Sequence, residues 1–146
     1  MPNHLQLTHL QQLGRAVKQA QYRQHRALEN ALAAAGTTLA QWDALRAIAR
    51  TPGASSHDLA VATFQTDQAF GTLANRLVAQ GLIERRAGEG RRIEHFLNQQ
   101  GEHILASGNE IANQVLADKF AALNATEQKQ LLKLLTRLVE SDQTDE

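Results

Sequence analysis

The sequence predicts a mainly α fold, a winged helix-turn-helix with a two-stranded β wing set between long N- and C-terminal dimerisation helices. Three observations predict it. Two helical patterns separated by a polar break run from Ser55 to Gln80. An arginine-flanked pair of strand-like runs follows, hinged at Gly88-Glu89-Gly90. Leucine stripes broader than one small core needs bracket this module on both sides. The expected organisation of the 146 residues is a single chain in which 1–36 and 101–146 are dimerisation helices and 37–100 form the winged helix-turn-helix DNA-binding region.

Taken in order, Leu10, Leu13, Val17, Ala20, Leu28 and Leu32 recur along one helical face before Gly36, and a short helix spans 38–50. Ser55 then opens the first helix of the module. Its hydroxyl can accept an amide hydrogen bond while Asp58, three residues on, reaches back in a capping box. Leu59, Ala60 and Phe64 are expected on the buried side of that helix. After Gln65 and Thr66, Phe70, Leu73, Ala74 and Leu77 mark the core face of the second helix, which leaves Gln68, Thr72, Asn75 and Arg76 on the opposite face. Gly81 fits a left-handed helix cap. Leu82 to Ala87 and Ile93 to Leu97 read as hairpin arms, with Arg85, Arg86, Arg91 and Arg92 at or near the tip. Leu105, Ala112, Leu116, Phe120 and Leu123 continue a helix after Gly101, and a last helix begins near Thr126 with Glu127 in its first turn.

A helix bearing amide and hydroxyl side chains beside a cationic hairpin suits duplex DNA. The helix fits the major groove, and the hairpin reaches phosphates or the minor groove. The expected DNA contacts are therefore Gln68, Thr72, Asn75, Arg76, Arg85, Arg86, Arg91 and Arg92, with Gln68 and Thr72 nearest the base edges. An arginine-rich turn alone is usually a solvated loop; its position after two capped helices carries the inference.

At these residues the chain resembles the MarR family of transcriptional regulators. Glu89-Gly90-Arg91 matches the family's D-x-R wing, Leu97-Asn98 its L-T, Gly101 the glycine opening the next helix, and Gly81-Leu82-Ile83-Glu84-Arg85 its G-L-[IV]-x-R entry to the wing. The likeness extends more loosely from Leu39 to about Val139. The surplus leucines of the terminal helices predict a homodimer, whose two recognition helices, roughly 34 Å apart, would meet successive major grooves of a pseudo-palindromic operator. The resemblance implies a wing-stabilising role for Glu89, and a pocket near helix 38–50 for small aromatic or amphipathic effectors, with Trp42 as the candidate pocket residue. A lone tryptophan at helical spacing with Leu45 and Ile48 is more often core. Three departures bear on mechanism: Glu89 replaces the wing aspartate, Asn98 replaces threonine, and Thr72 stands where many relatives carry a base. Asp67 adds a carboxylate in the recognition helix's first turn, where it suits the helix dipole and repels phosphate. Wing-dependent or modest DNA affinity is expected.

Composition narrows the alternatives. A hydrophobic fraction of 42% argues against disorder, and no cysteine is present, which excludes disulfides, thiolate metal sites and a cysteine-oxidation switch. The net charge is zero, but residues 1–100 hold 11 Lys and Arg against 7 Asp and Glu, whereas 101–146 hold 4 against 8. The basic excess thus lies with the DNA-reading part. No run approaches the roughly 20 apolar residues of a membrane span and no export signal opens the chain, so cytoplasmic residence without membrane partners is expected. Six histidines, His4, His9, His25, His57, His95 and His103, are scattered; His25 and Glu29 could share an ion, but two ligands are too few, and no metal or cofactor is expected. No phosphate-binding, nucleophile-elbow or zinc-protease motif occurs, so no enzymatic reading arises. The lead expectation is a ligand-responsive repressor acting on double-stranded DNA. The competing one is a winged-helix interaction or small-molecule-binding module without specific DNA binding, which Asp67, Gly71 and the neutral sum favour.

Overall fold

The computed structural model describes residues 4–142, with side chains from Thr8 onward; the side chain of His4 lies outside the described residues. The elements are α1 (His4–Ala34), α2 (Leu39–Arg50), α3 (Ser56–Ala62), α4 (Asp67–Ala79), β1 (Ile83–Ala87), β2 (Ile93–Leu97), α5 (Gln99–Phe120) and α6 (Ala125–Asp142).

Helix starts follow local polar chemistry. Thr38 caps α2 and Ser55 caps α3, each within a capping box closed by Gln41 and Asp58 respectively. Thr66 caps α4, and Asn98 caps α5 by accepting from the Gly101 amide at 2.8 Å. Asn124 and Glu127 exchange side-chain-to-backbone bonds at the start of α6. Each cap satisfies an amide that the first helical turn leaves unpaired.

Three helices end by one device. At Gly36, Phe64 and Gly81 the chain turns left-handed, and the amide of the following residue returns to a carbonyl five residues back: Thr37 to Leu32, Gln65 to Ala60 and Leu82 to Leu77. This is the Schellman arrangement. Glycine fills it twice; at the end of α3 a phenylalanine does, with φ 59°. Phe64 is accordingly not on the buried side of α3. The helix stops at Ala62, the αL turn throws the ring outward, and 98% of it is exposed.

Two clusters form the core. The larger gathers Leu45 and Ile48 of α2, Leu59 of α3, Phe70, Leu73 and Leu77 of α4, and Leu82 and Ile83 at the wing entry. The smaller joins Leu28 and Leu32 of α1 to Leu39 and Trp42 of α2 and Ala112 of α5. Gly101 lets α5 start directly against the Leu82 carbonyl oxygen, which a Cβ would strike. Gly108 gives the Trp42 indole its seat on α5, since a Cβ there would lie 2.6 Å from Cδ1.

The outer helices are less satisfied. Leu10, Leu13 and Val17 of α1 and Leu132, Leu134, Leu135, Leu138 and Val139 of α6 are exposed, and α6 buries no residue.

Phe64→Gly should raise stability by about 1 kcal/mol, because it removes the left-handed penalty of an L side chain while adding some unfolded-state entropy. Urea denaturation measures it, and an unchanged or lower midpoint would deny the strain.

Candidate nucleic-acid interface

The surface of α4 is divided as its spacing requires. Phe70, Leu73, Ala74 and Leu77 are buried, while Gln68, Thr72, Asn75 and Arg76 are exposed along the other side. The Thr72 hydroxyl donates to the Gln68 carbonyl at 3.1 Å. Its hydrogen is therefore committed within the helix, which leaves oxygen lone pairs and a methyl group for an incoming base. Gln68 and Asn75 have amides free to donate and accept.

The wing follows α4 as one antiparallel pair with Arg85 opposite His95, Arg86 opposite Glu94 and Glu84 opposite Phe96. Alternation sends neighbouring arginines to opposite faces. Arg85 shares its face with His95, whose ring meets the Phe70 ring of α4 edge-on at 6.4 Å between centroids. This is the side toward the recognition helix. Arg86 lies on the other face, where it pairs with Glu84 at 3.1 Å and stacks over Phe96 at 4.4 Å.

The four wing arginines therefore differ. Arg92 folds back, donating to the Gly53 carbonyl at 3.2 Å and approaching the Asp58 carboxylate at 3.7 Å. It anchors the wing to the loop before α3. Arg86 is half neutralised. Among the described residues, Arg85, Arg91 and Arg76 carry no ion pair and stand open to solvent. The Glu89 side chain makes no bond to Arg91; its contribution is a backbone carbonyl that accepts from the Arg92 amide at 3.1 Å. The carboxylate nestled in the turn is that of Glu94, whose Oε1 would lie 2.6 Å from a Cβ at Gly88. Glu94 lies five residues beyond Glu89, on β2 opposite Arg86, and only the pairing of the two strands brings its carboxylate back to the turn.

His95 is buried, and its Nδ1 is 2.9 Å from the Ala54 carbonyl oxygen. Burial, opposed by the Ala54 bond and aided by Arg85, holds its pKa below the ordinary histidine value. The folded state thus favours the neutral ring. The stability this supplies is present above the ordinary histidine pKa and is lost as pH falls through the lowered one.

At the opening of the two helices, His57 Nδ1 of α3 meets Asp67 Oδ1 of α4 at 2.9 Å, with side chains 71% and 69% exposed. The Asp67 hydrogen bond and charge hold the His57 pKa above its ordinary value. Ten residues of separation and no periodic signal conceal this pair in the sequence.

Trp42 is buried in the smaller core cluster, with its Nε1–H donating to Asn109 Oδ1 at 2.9 Å and Arg46 over its ring at 4.3 Å. It does not line the nearby cavity of about 360 Å³ between the end of α2, β2 and α5, whose wall includes Ile48, Pro52, Phe96, Leu105 and Asn109. The glycine at 108 drew the indole onto α5 instead. His25 and Glu29 form an ordinary i, i+4 pair at 3.3 Å, and among the described residues no three metal-ligating side chains converge.

The division among the arginines has a measurable consequence. Arg91→Ala should weaken binding to all duplexes and lower the slope of log affinity against log salt by about one per bound protomer, about two for a dimer, whereas Arg86→Ala should change the slope by much less. Equal slope changes in fluorescence-anisotropy titrations would contradict the assignment of open and neutralised cations.

Comparison with known proteins agrees with this geometry. The MarR family model matches residues 35–93, the stretch from the turn before α2 to the start of β2. An HTH-type transcriptional repressor of Mycobacterium tuberculosis, Rv2887, is 29% identical over 110 residues, 74% of this chain and 79% of that protein. The crystal structure of that protein complexed with p-aminosalicylic acid superposes with a TM-score of 0.73 at 26% identity, covering 86% of this chain and 97% of the other. A probable transcriptional regulator from Pseudomonas aeruginosa is 30% identical with a TM-score of 0.76, covering 87% of this chain and 96% of its own. With its helix-turn-helix, its arginine wing and its long flanking helices, the chain belongs to the MarR family of transcriptional regulators.

Proposed function

We propose that this regulator is a ligand-responsive repressor that binds a pseudo-palindromic operator as a homodimer. One observation carries the reading: the exposed face of α4, with Gln68, Thr72, Asn75 and Arg76, lies beside a wing whose unpaired Arg85 shares the face turned toward that helix. The helix supplies base-edge donors and acceptors, and the open arginines supply phosphate contacts.

The dimer rests on unsatisfied apolar surface. Leu13 and Val17 of α1 face Leu131, Leu134, Leu135 and Leu138 of α6 across an open cleft of about 770 Å³. A patch of this kind at the two ends of a chain is what a two-fold interface covers. In the dimer, residues 1–36 and 101–146 set the spacing of the two reading modules.

For the effector, the cavity between α2, β2 and α5 offers an apolar wall with Asn109 and Glu102 as polar groups. A relative of this chain takes p-aminosalicylic acid, which supports a small aromatic molecule as the ligand class. Asn109 connects the cavity to Trp42, so occupancy would act on the seam between the reading module and α5 and shift the population toward a spacing that DNA does not accept. The role involves no catalytic step. Its place is the cytoplasm, and no described helix is long and apolar enough to cross a membrane.

The test is a titration of the purified protein against the DNA upstream of its own gene, with random duplex as competitor, at two salt concentrations. Specific, salt-sensitive binding is expected, and Leu135→Asp combined with Leu138→Asp should yield a monomer by sedimentation and cut operator affinity at least about tenfold. Binding no tighter than to random duplex, for this region and for the best duplexes selected from a random library, would favour a protein-binding module instead.

A further inference from the structure

Asp67 is chemically out of place on a helix that approaches a polyanion. An ionised carboxylate only accepts hydrogen bonds, and phosphate oxygens only accept as well, so Asp67 cannot make a phosphate contact. It is nevertheless the first residue of α4, after the Thr66 cap, at the end of a recognition helix that meets base edges. In the major groove the partners it can take are exocyclic amino groups, N4 of cytosine or N6 of adenine.

Two further observations point the same way. The carboxylate has a partner of its own: His57, on the preceding helix, meets Oδ1 at 2.9 Å, and the side chain remains 69% exposed. One turn on, Gly71 stands inside α4, where glycine costs about 0.5–1 kcal/mol relative to alanine. Packing does not require it, because a Cβ at 71 would meet nothing within 4 Å and its φ is not in the left-handed region. A bare backbone in open space beside an oriented acceptor suits a surface that another molecule must approach closely.

We propose that Asp67, positioned by His57 and flanked by the bare surface of Gly71, is a specificity determinant that selects an exocyclic amino group in the operator's major groove and links DNA binding to one proton on His57. The proposal rests on the DNA-binding reading above. Its electrostatics are simple. With His57 protonated, the pair is neutral toward the flanking phosphates; with His57 neutral, the pair presents a full negative charge. Asp58 of the same helix lies beside His57 and is itself approached by Arg92 of the wing at 3.7 Å, so Asp67 is the carboxylate that His57 bonds directly. The Asp67 bond keeps the His57 pKa above its ordinary value. Binding should therefore favour the protonated form, and affinity should fall as pH rises through that pKa.

The experiment takes the full chain, selects its preferred duplex from a random library, and titrates every single-base variant of that duplex with the wild type, Asp67→Ala, Asp67→Asn, His57→Gln and Gln68→Ala, after circular dichroism has confirmed folding. The wild type should prefer an amino-bearing base at one position by about tenfold, within the range of a good base contact. Asp67→Ala should level that position and no other, and Gln68→Ala should leave it intact. Between about pH 6 and 8 wild-type affinity should fall about three- to tenfold, as uptake of up to one proton per protomer allows, while Asp67→Asn and His57→Gln give flat profiles. Gly71→Ala should raise stability yet weaken binding. Unchanged base ranking for Asp67→Ala, or a wild-type pH profile superimposable on that of Asp67→Asn, overturns the proposal and leaves the regulator reading standing. Absence of specific binding to any selected duplex overturns both.

Discussion

The reading surface depends on how the turn at Gly53-Ala54 grips β2. Gly53 donates its amide to the His95 carbonyl at 2.9 Å, and the His95 amide returns to the Ala54 carbonyl at 3.2 Å. A two-stranded hairpin is marginal by itself; these bonds give it a third edge. Gly53 is required here, since its φ is +86° and a Cβ would lie 3.0 Å from the Glu94 carboxylate. The imidazole of His95 seals the arrangement by bonding the same Ala54 carbonyl and meeting Phe70 edge-on. Wing and recognition helix are therefore docked on each other through His95 and Phe70, and this contact sets the offset between the arginines of one and the amides of the other.

A second seam joins that body to the long helices. Trp42 packs over Gly108, bonds Asn109 and carries Arg46 on its ring, while Gln41 bonds the Gln80 side chain at the end of α4 at 2.9 Å. Helix α2 thus touches both the recognition helix and α5. In the proposed dimer, a ligand that displaces Asn109 acts at the point where the module's angle is set, without touching a DNA contact. Small shifts matter there because packed interiors have discrete arrangements rather than continuous give.

The order of elements was legible because each has a local cause. The Ser55 box, the Gly81 turn and the 83–97 hairpin all follow from neighbours a few residues apart. The outward Phe64 is not legible because the left-handed cap there, which favours glycine, is filled by a residue type that seldom adopts it; an apolar ring at helical spacing reads as core. The division of labour among Arg85, Arg86, Arg91 and Arg92 was hidden for a different reason. It depends on Gly53, Asp58 and Phe96, partners fixed by tertiary docking and unmarked in the chain. Trp42 packs in the core on Gly108, 66 positions away, a partner that nothing in the local sequence around the tryptophan marks.

The few open cations also shape how such a protein discriminates. With Arg76, Arg85 and Arg91 unpaired, the proposed dimer would present about six open cations to phosphates, the low end of counterion release for duplex binding. Sequence-independent attraction scales with that number, and base contacts do not. Neutral composition, a carboxylate at the tip of α4 and an acidic C-terminal third all lower affinity for arbitrary DNA. Under the proposed function, operator affinity would rest on Gln68, Thr72, Asn75 and their neighbours, which would widen the gap between right and wrong sequences even where absolute affinity is modest. A repressor that must release its site when a small molecule binds is well served by this balance, because less nonspecific attraction has to be overcome.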